Sequence, residues 1–145
     1  MHEPVIVCDI DDTVFKEHED YAPIQNVIDF LIQQAQTKKI IMLTARLESE
    51  REFTVNQLRK VGIPFSDLIM EQFIDPNHEG STTEQHAIYK AEKVRTIMSK
   101  YRVILFIDNS KPARQAVKKL GVLTKKPENI SNKILTKTVW SGIFI

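Results

Sequence analysis

Three short runs, residues 5–8, 40–43 and 103–107, are apolar at every position, and segments with helical periodicity separate them. A strand with one wet face alternates apolar and polar residues, so a run without alternation is covered on both faces. After Pro23, the residues Ile24, Val27, Ile28, Leu31, Ile32 and Ala35 recur as one face of a helix. A second helix is expected over about 48–60, with Gly62 closing it and Pro64 following. Residues 68–70 read as a short strand and 75–81 as loop. Ala87, Ala91, Val94 and Met98 mark a helix over about 83–100 with Thr83 as a cap, and Ala113, Ala116, Val117 and Leu120 mark another, closed by Gly121. Val122 and Leu123 then open one more strand, and the apolar stretch 138–145 is expected to return to the core or a sheet edge. Alternation of β and α elements with uniformly apolar strands predicts an α/β fold: a Rossmann-like, doubly wound parallel sheet of about five strands with helices on both faces.

The first apolar run stops in Asp9-Ile10-Asp11-Asp12-Thr13. A carboxylate at the end of a buried strand loses hydration, and several close together repel one another. A divalent cation removes both problems, and an oxygen-only ligand set favours Mg²⁺, which commonly takes one or two carboxylates and substrate phosphate. The alternative is a polar turn in which Asp serves as a cap. In doubly wound sheets, ligands bind beyond the carboxyl ends of the strands where the strand order reverses. Each long apolar run here ends in a chemically active group: Asp9 and Asp11 after the first, Thr44 and Arg46 after the second, Asp108 and Asn109 after 103–107.

At 145 residues the chain is expected to form a single domain, 1–145. No run has the length of a membrane span or a secretory signal, which points to a cytoplasmic protein with no membrane partner. The single cysteine, Cys8, lies inside an apolar run and reads as a small core residue. Net charge is +1, but residues 1–72 carry 13 acidic against 7 basic side chains and residues 73–145 carry 6 against 13. Lys111, Arg114, Lys118, Lys119, Lys125, Lys126, Lys133 and Lys137 make either a face for an anionic polymer or a solvated helix face and tail.

Taken in order, Asp9-x-Asp11-x-Thr13, Thr44, Lys90 and Asp108-Asn109 resemble the four motifs of the haloacid dehalogenase superfamily of phosphohydrolases, over roughly residues 5–123. The stretch 43–54, with Gln57-Leu58 and residues 62–70, is similar to the phosphatase domain of polynucleotide kinase/phosphatases. The resemblance implies an Mg²⁺-dependent phosphomonoesterase. Asp9 is the implied nucleophile, which becomes an aspartyl phosphate, and Asp11 the acid and base. Thr13 orients Asp11 or the loop, and Thr44 and Lys90 contact the non-bridging phosphate oxygens. Lys93, one turn on, competes with Lys90 for that place. The implied metal set is the Asp9 carboxylate, the Asp11 carbonyl and Asp108, with Asn109 acting through a bound water.

Two positions depart from the superfamily pattern. Asp12 stands where glycine is usual, and Asp tolerates the left-handed backbone better than most residues. Asn109 stands where a second acid is common; Asp12 is a candidate to compensate for the missing charge. Between the first motif and Thr44 there is room for a flap and a helix but for no large cap domain. In the superfamily that the chain resembles, an open site goes with macromolecular substrates, which for this chain would include nucleic-acid ends, or with a homo-oligomer that completes the pocket. Arg46 either clamps a second phosphate or pairs with Glu48, Glu50 or Asp12; His78 and His86 are substrate contacts or surface residues. A polynucleotide 3′-phosphate or nucleotide is the leading substrate expectation. A small phosphorylated metabolite, and a non-catalytic binding module on the same fold, are the alternatives.

Overall fold

The computed structural model describes residues 2–72 and 83–131. The expected loop at 75–81 with His78, the stretch 138–145, Lys133 and Lys137 lie outside the described residues.

A parallel sheet runs in the order β5-β4-β1-β6-β7, formed by β1 (Pro4–Cys8), β4 (Lys39–Leu47), β5 (Asp67–Glu71), β6 (Arg102–Ile107) and β7 (Thr124–Lys125). The doubly wound expectation is met: β1 is central, the chain winds outward through β4 and β5, then returns to add β6 and β7 on the other side. The absence of alternation has its cause in the two faces. Val5, Val7, Ile41, Leu43 and Phe106 pack with Ala87, Val94 and Val117 of α3 (Thr83–Met98) and α4 (Lys111–Lys118). Ile6, Cys8, Ile40, Met42 and Ile107 face Ile28, Leu31 and Leu58 of α1 (Gln25–Gln34) and α2 (Arg51–Lys60). Neighbouring residues of one strand thus enter different cores.

The structure shifts several expected boundaries. The first helix starts at Gln25 rather than Pro23, because Pro23 pairs with Phe15 in a small antiparallel flap, β2 (Phe15–Lys16) and β3 (Ala22–Pro23). The second strand continues past its apolar run to Leu47; its ladder with β5 breaks after Leu43 and resumes at Leu47, so Thr44 and Arg46 lie on an irregular strand segment rather than beyond it. A 3₁₀ turn, Glu48–Glu50, leads into α2. The last strand is Thr124–Lys125, later than expected, although the Leu123 carbonyl already accepts from Phe106 N at 2.9 Å. Gly62 and Gly121, at φ +80° and +88°, supply the left-handed residue after their helices. No helix among the described residues is long and apolar enough to cross a membrane.

Candidate active site

The strand-order reversal at β1 opens a cavity of about 550 Å³ beyond the carboxyl ends of the sheet, lined by Asp9, Asp11, Thr44, Arg46, Lys90 and Asn109 among others. Asp9 leaves β1 with its N–H donating to the Ile107 carbonyl (2.9 Å), which ties the turn after β1 to the end of β6. Its carboxylate is nearly inaccessible: Oδ1 accepts from Lys90 Nζ at 2.9 Å and Oδ2 from Thr13 Oγ1 at 2.8 Å. Of the two roles expected for Thr13, orienting Asp11 or the loop, its side chain shows no bond to Asp11; it holds Asp9, and its buried hydroxyl also accepts from Asn109 N at 3.1 Å, in the loop after β6. The reason lies in the turn: the Thr13 and Val14 amides both donate to the Ile10 carbonyl, folding the chain back under Asp9.

Asp12 makes that turn possible. It sits at φ 60°, the left-handed conformation expected for an Asp in a glycine position, and its Oδ1 accepts from Glu17 N at 3.1 Å. Its exposed carboxylate is thus engaged by the flap backbone.

Asp108 is fully buried at the end of β6. One carboxylate oxygen accepts from Lys90 Nζ (2.6 Å), the other from Ser110 N (2.8 Å), and Ser110 in turn caps α4. Arg114, counted above in the basic face, donates to the Asp108 carbonyl at 2.9 Å and so belongs to the site's scaffold. Lys90 reaches across from α3 to bridge both acids, whereas Lys93 lies over the Tyr89 ring at 5.8 Å. Burial first, then the neighbouring Asp108, pushes the Asp9 carboxyl up to about 7, opposed by Lys90. Burial would lower the Lys90 ammonium, but the two acids outweigh it and hold it above its ordinary value. Burial and the same acids raise the Cys8 thiol, which suits a core residue and not a nucleophile.

Asn109 completes the arrangement. With its amide nitrogen turned inward it donates to Asp9 Oδ2 (3.0 Å), the Asp11 carbonyl (3.2 Å) and Asp108 Oδ1 (3.3 Å). With its amide oxygen inward it faces three further acceptor oxygens, and among the described residues only the Thr13 hydroxyl and the Ser110 N–H donate to members of the set, an arrangement a cation would satisfy. Adjacent ligands of an octahedral Mg²⁺, each about 2.0–2.1 Å from the ion, stand roughly 3 Å apart. The all-oxygen character of the donor set fits Mg²⁺ in chemistry, and the Asn109 amide lies within 3.3 Å of the other three oxygens.

On the other side, Asp11 is gripped by Arg46: Nε donates to Oδ2 at 3.0 Å and Nη2 to Oδ1 at 2.7 Å. The nearly buried guanidinium also donates to Thr54 Oγ1 (3.0 Å) and Gln57 Oε1 (2.6 Å) of α2. The pairings of Arg46 expected with Glu48, Glu50 or Asp12 do not form: Glu48 pairs with Arg51, and Glu50 accepts from Leu47 N. The Nε/Nη2 edge of Arg46 is thus engaged by Asp11 and its Nη1 by α2, at the wall of the cavity. Thr44 Oγ1 accepts from Arg46 N (3.0 Å), and Tyr89 Oη donates to the Thr44 carbonyl (3.1 Å). Half-buried His86 lines the cavity one turn before Lys90, and burial followed by Lys90 lowers its pKa. Sequence reasoning missed the Asp11–Arg46 pair and the Tyr89 contact. Nothing in the order of residues marks either, although Gln57 stood within the quoted resemblance.

Known proteins agree with this architecture. Chains from two structures of the Pnkp1/Rnl/Hen1 RNA repair complex are 21% identical to this one, with TM-scores of 0.72 and 0.70 over 86% of its length. This chain spans only 42% and 46% of those chains. The D,D-heptose 1.7-bisphosphate phosphatase from B. bronchiseptica, solved with magnesium and phosphate, has 12% identity and a TM-score of 0.56, covering 83% of this chain and 78% of its own. These likenesses show a shared fold, the α/β parallel sheet with helices on both faces described above. No curated protein matches. The profile of the family described as "Protein of unknown function (DUF2608)" matches residues 13–93, more than half of the chain, and to that family the chain belongs.

Proposed function

We propose that this protein is an Mg²⁺-dependent phosphomonoesterase working through an aspartyl phosphate, on a polynucleotide 3′-phosphate or a nucleotide. The observation that carries the reading is convergence: Asp9, Asp11, Thr44, Lys90 and Asn109 arrive from separate elements at one cavity, with Asp108 behind them. Fold likeness to RNA repair chains and to a phosphatase solved with magnesium and phosphate is consistent with it.

Asp9, Asp108, the Asp11 carbonyl and Asn109 would hold the ion. When bound, it supplies positive charge against the phosphoryl oxygens and the clustered acids. The Asp9 carboxylate attacks phosphorus as the P–O ester bond breaks, and Asp11 gives its proton to the departing oxygen. A carboxyl that donates through one oxygen can still accept from Arg46 through the other, so the fork orients Asp11 through the transfer. Asp11 then takes a proton from water as that water attacks the phosphoaspartate, releasing phosphate and restoring Asp9. Lys90 neutralises Asp9 and Asp108 in turn, and the Thr44 hydroxyl can donate to a non-bridging oxygen.

Phosphate release from a 3′-phosphorylated oligonucleotide, mononucleotides and sugar phosphates, with Mg²⁺ and with chelator, tests this. Release that requires Mg²⁺ and disappears in Asp9→Asn is expected; no release from any substrate removes the reading. Turnover confined to sugar phosphates would instead assign a metabolite phosphatase.

A further inference from the structure

The flap and α2 carry a group of features that the phosphoryl-transfer step does not use. A groove of about 610 Å³ lies between them, and Tyr21 is a wall of both this groove and the phosphate cavity. Phe53 stands opposite, about half exposed (48%), and the Tyr21 and Phe53 rings meet edge to face with centroids 5.6 Å apart. Beneath both rings lies the Arg46 guanidinium, at 5.4 Å from Tyr21 and 5.8 Å from Phe53. Asp20 and Tyr21 are consecutive residues at φ 49° and 57°, a left-handed conformation that is unusual for a bulky side chain. Backbone strain of that kind persists where the surroundings impose it, commonly at ligand contacts. Solvent-facing aromatic pairs also lose apolar burial they would gain by turning inward.

We propose that this groove is the subsite for the nucleobase attached to the phosphorylated sugar, an inference that rests on the phosphatase reading and narrows its substrate to nucleotides and polynucleotide ends. A flat base stacks on exposed aromatic rings with little regard to its identity. The groove's size is that of a small-molecule site. Its remaining wall supplies hydrogen-bonding edges: the Asn56 amide both donates and accepts, Asp20 accepts and Lys60 donates. Because Tyr21 borders both cavities, a phosphate beside Asp9 places the adjoining nucleoside toward the rings. A sugar phosphate or other base-free ester leaves them uncovered. Arg46 joins the two sites, paired with Asp11 in one and packed under the rings of the other.

The experiment compares a 3′-phosphorylated oligonucleotide with the same oligonucleotide carrying an abasic 3′-terminal residue, both with Mg²⁺. The expected result is a parent preference for the base-bearing end of about tenfold in kcat/KM, expressed mainly in KM. Tyr21→Ala and Phe53→Ala should bring that ratio toward one, while Tyr21→Phe and Phe53→Tyr retain it. A parent that turns over both ends equally overturns the subsite and leaves the phosphatase reading intact. An equal loss on both substrates in the alanine variants, with the ratio kept, makes the rings packing for Arg46 and also overturns it. If no phosphate is released from either end, or from nucleotides and sugar phosphates, the phosphatase reading fails. The subsite is then decided by 2-aminopurine at the 3′-terminal position of the oligonucleotide. Quenching by the parent that is lost in Phe53→Ala supports base stacking, and no quenching removes it.

Discussion

The two sides of the cavity are built on opposite principles. On the β1–β6 side, Asp9, Asp108 and Lys90 are almost wholly buried, fixed by one another and by strand and helix termini. On the flap side, Asp11 is partly open, and its partner Arg46 is surrounded by Thr54, Gln57 and two exposed rings. The buried side holds charge at a point, as the proposed phosphoryl transfer demands, at a desolvation cost that only mutual pairing offsets. The flap side keeps surface available and spends side chains on orientation, which suits selection among substrates. Damage to the first should therefore remove chemistry or stability outright, and damage to the second should change degree and preference.

The sharpest break is Asp9→Asn, which should lower phosphate release by ~10⁴-fold or more while leaving the fold intact, because it removes the proposed nucleophile rather than a packing group. Circular dichroism beside the assay separates the two effects. Next is Lys90→Met, which leaves two buried acids without their cation; in chelator, urea unfolding should show a loss of about 3–5 kcal/mol, partly recovered on adding Mg²⁺. On the flap side, Arg46→Ala should cost about 10²-fold, falling on kcat more than KM, since its fork orients Asp11, the proposed acid. Arg46→Lys should restore little, because a point charge cannot engage both Asp11 oxygens.

A smaller effect distinguishes the sides through pH. The Asp9 carboxyl is raised from 3.8 to about 7, so between those values the metal-free folded protein holds a proton that the unfolded chain has lost. Its contribution to stability is full below the lower value and disappears as pH rises through the upper one, with a slope of no more than about 1.4 kcal/mol per pH unit. Subtracting the chelated Asp9→Asn profile from that of the parent should isolate this fall, and a difference that rises with pH would contradict it. Least affected should be Asp12→Gly: relief of the left-handed backbone offsets loss of the contact to Glu17 N, so unfolding midpoints should move by less than about 1 kcal/mol.

The buried side was the more legible in sequence because its residues sit where apolar runs stop. Asp9 and Asp108 each follow a run that can only be a covered strand, and a parallel sheet brings such ends to one edge whatever the loops do. Lys90 was harder: helical periodicity does not separate it from Lys93, and only the packing of α3 against β4 and α4 turns one toward the acids and lays the other over Tyr89. For Thr13 the sequence leaves Asp11 or the loop open, and its bond to Asp9 depends on how the turn after Ile10 closes. For Arg46 the alternative of pairing with Glu48, Glu50 or Asp12 does not form, for a similar reason. Nearby acids in sequence compete with Asp11, which is 35 residues away but faces it across the cavity.

The alternation of covered strands with amphipathic helices determined the doubly wound sheet, because apolar runs of strand length have no other stable burial. It also determined that several acids would meet at one edge. Which oxygens face one another, that Arg46 is bound to Asp11, and that Tyr21 and Phe53 stand together beside the cavity were decided by tertiary structure alone. Those contacts join side chains from separate elements, and their geometry follows from packing, which no local spacing in the chain encodes.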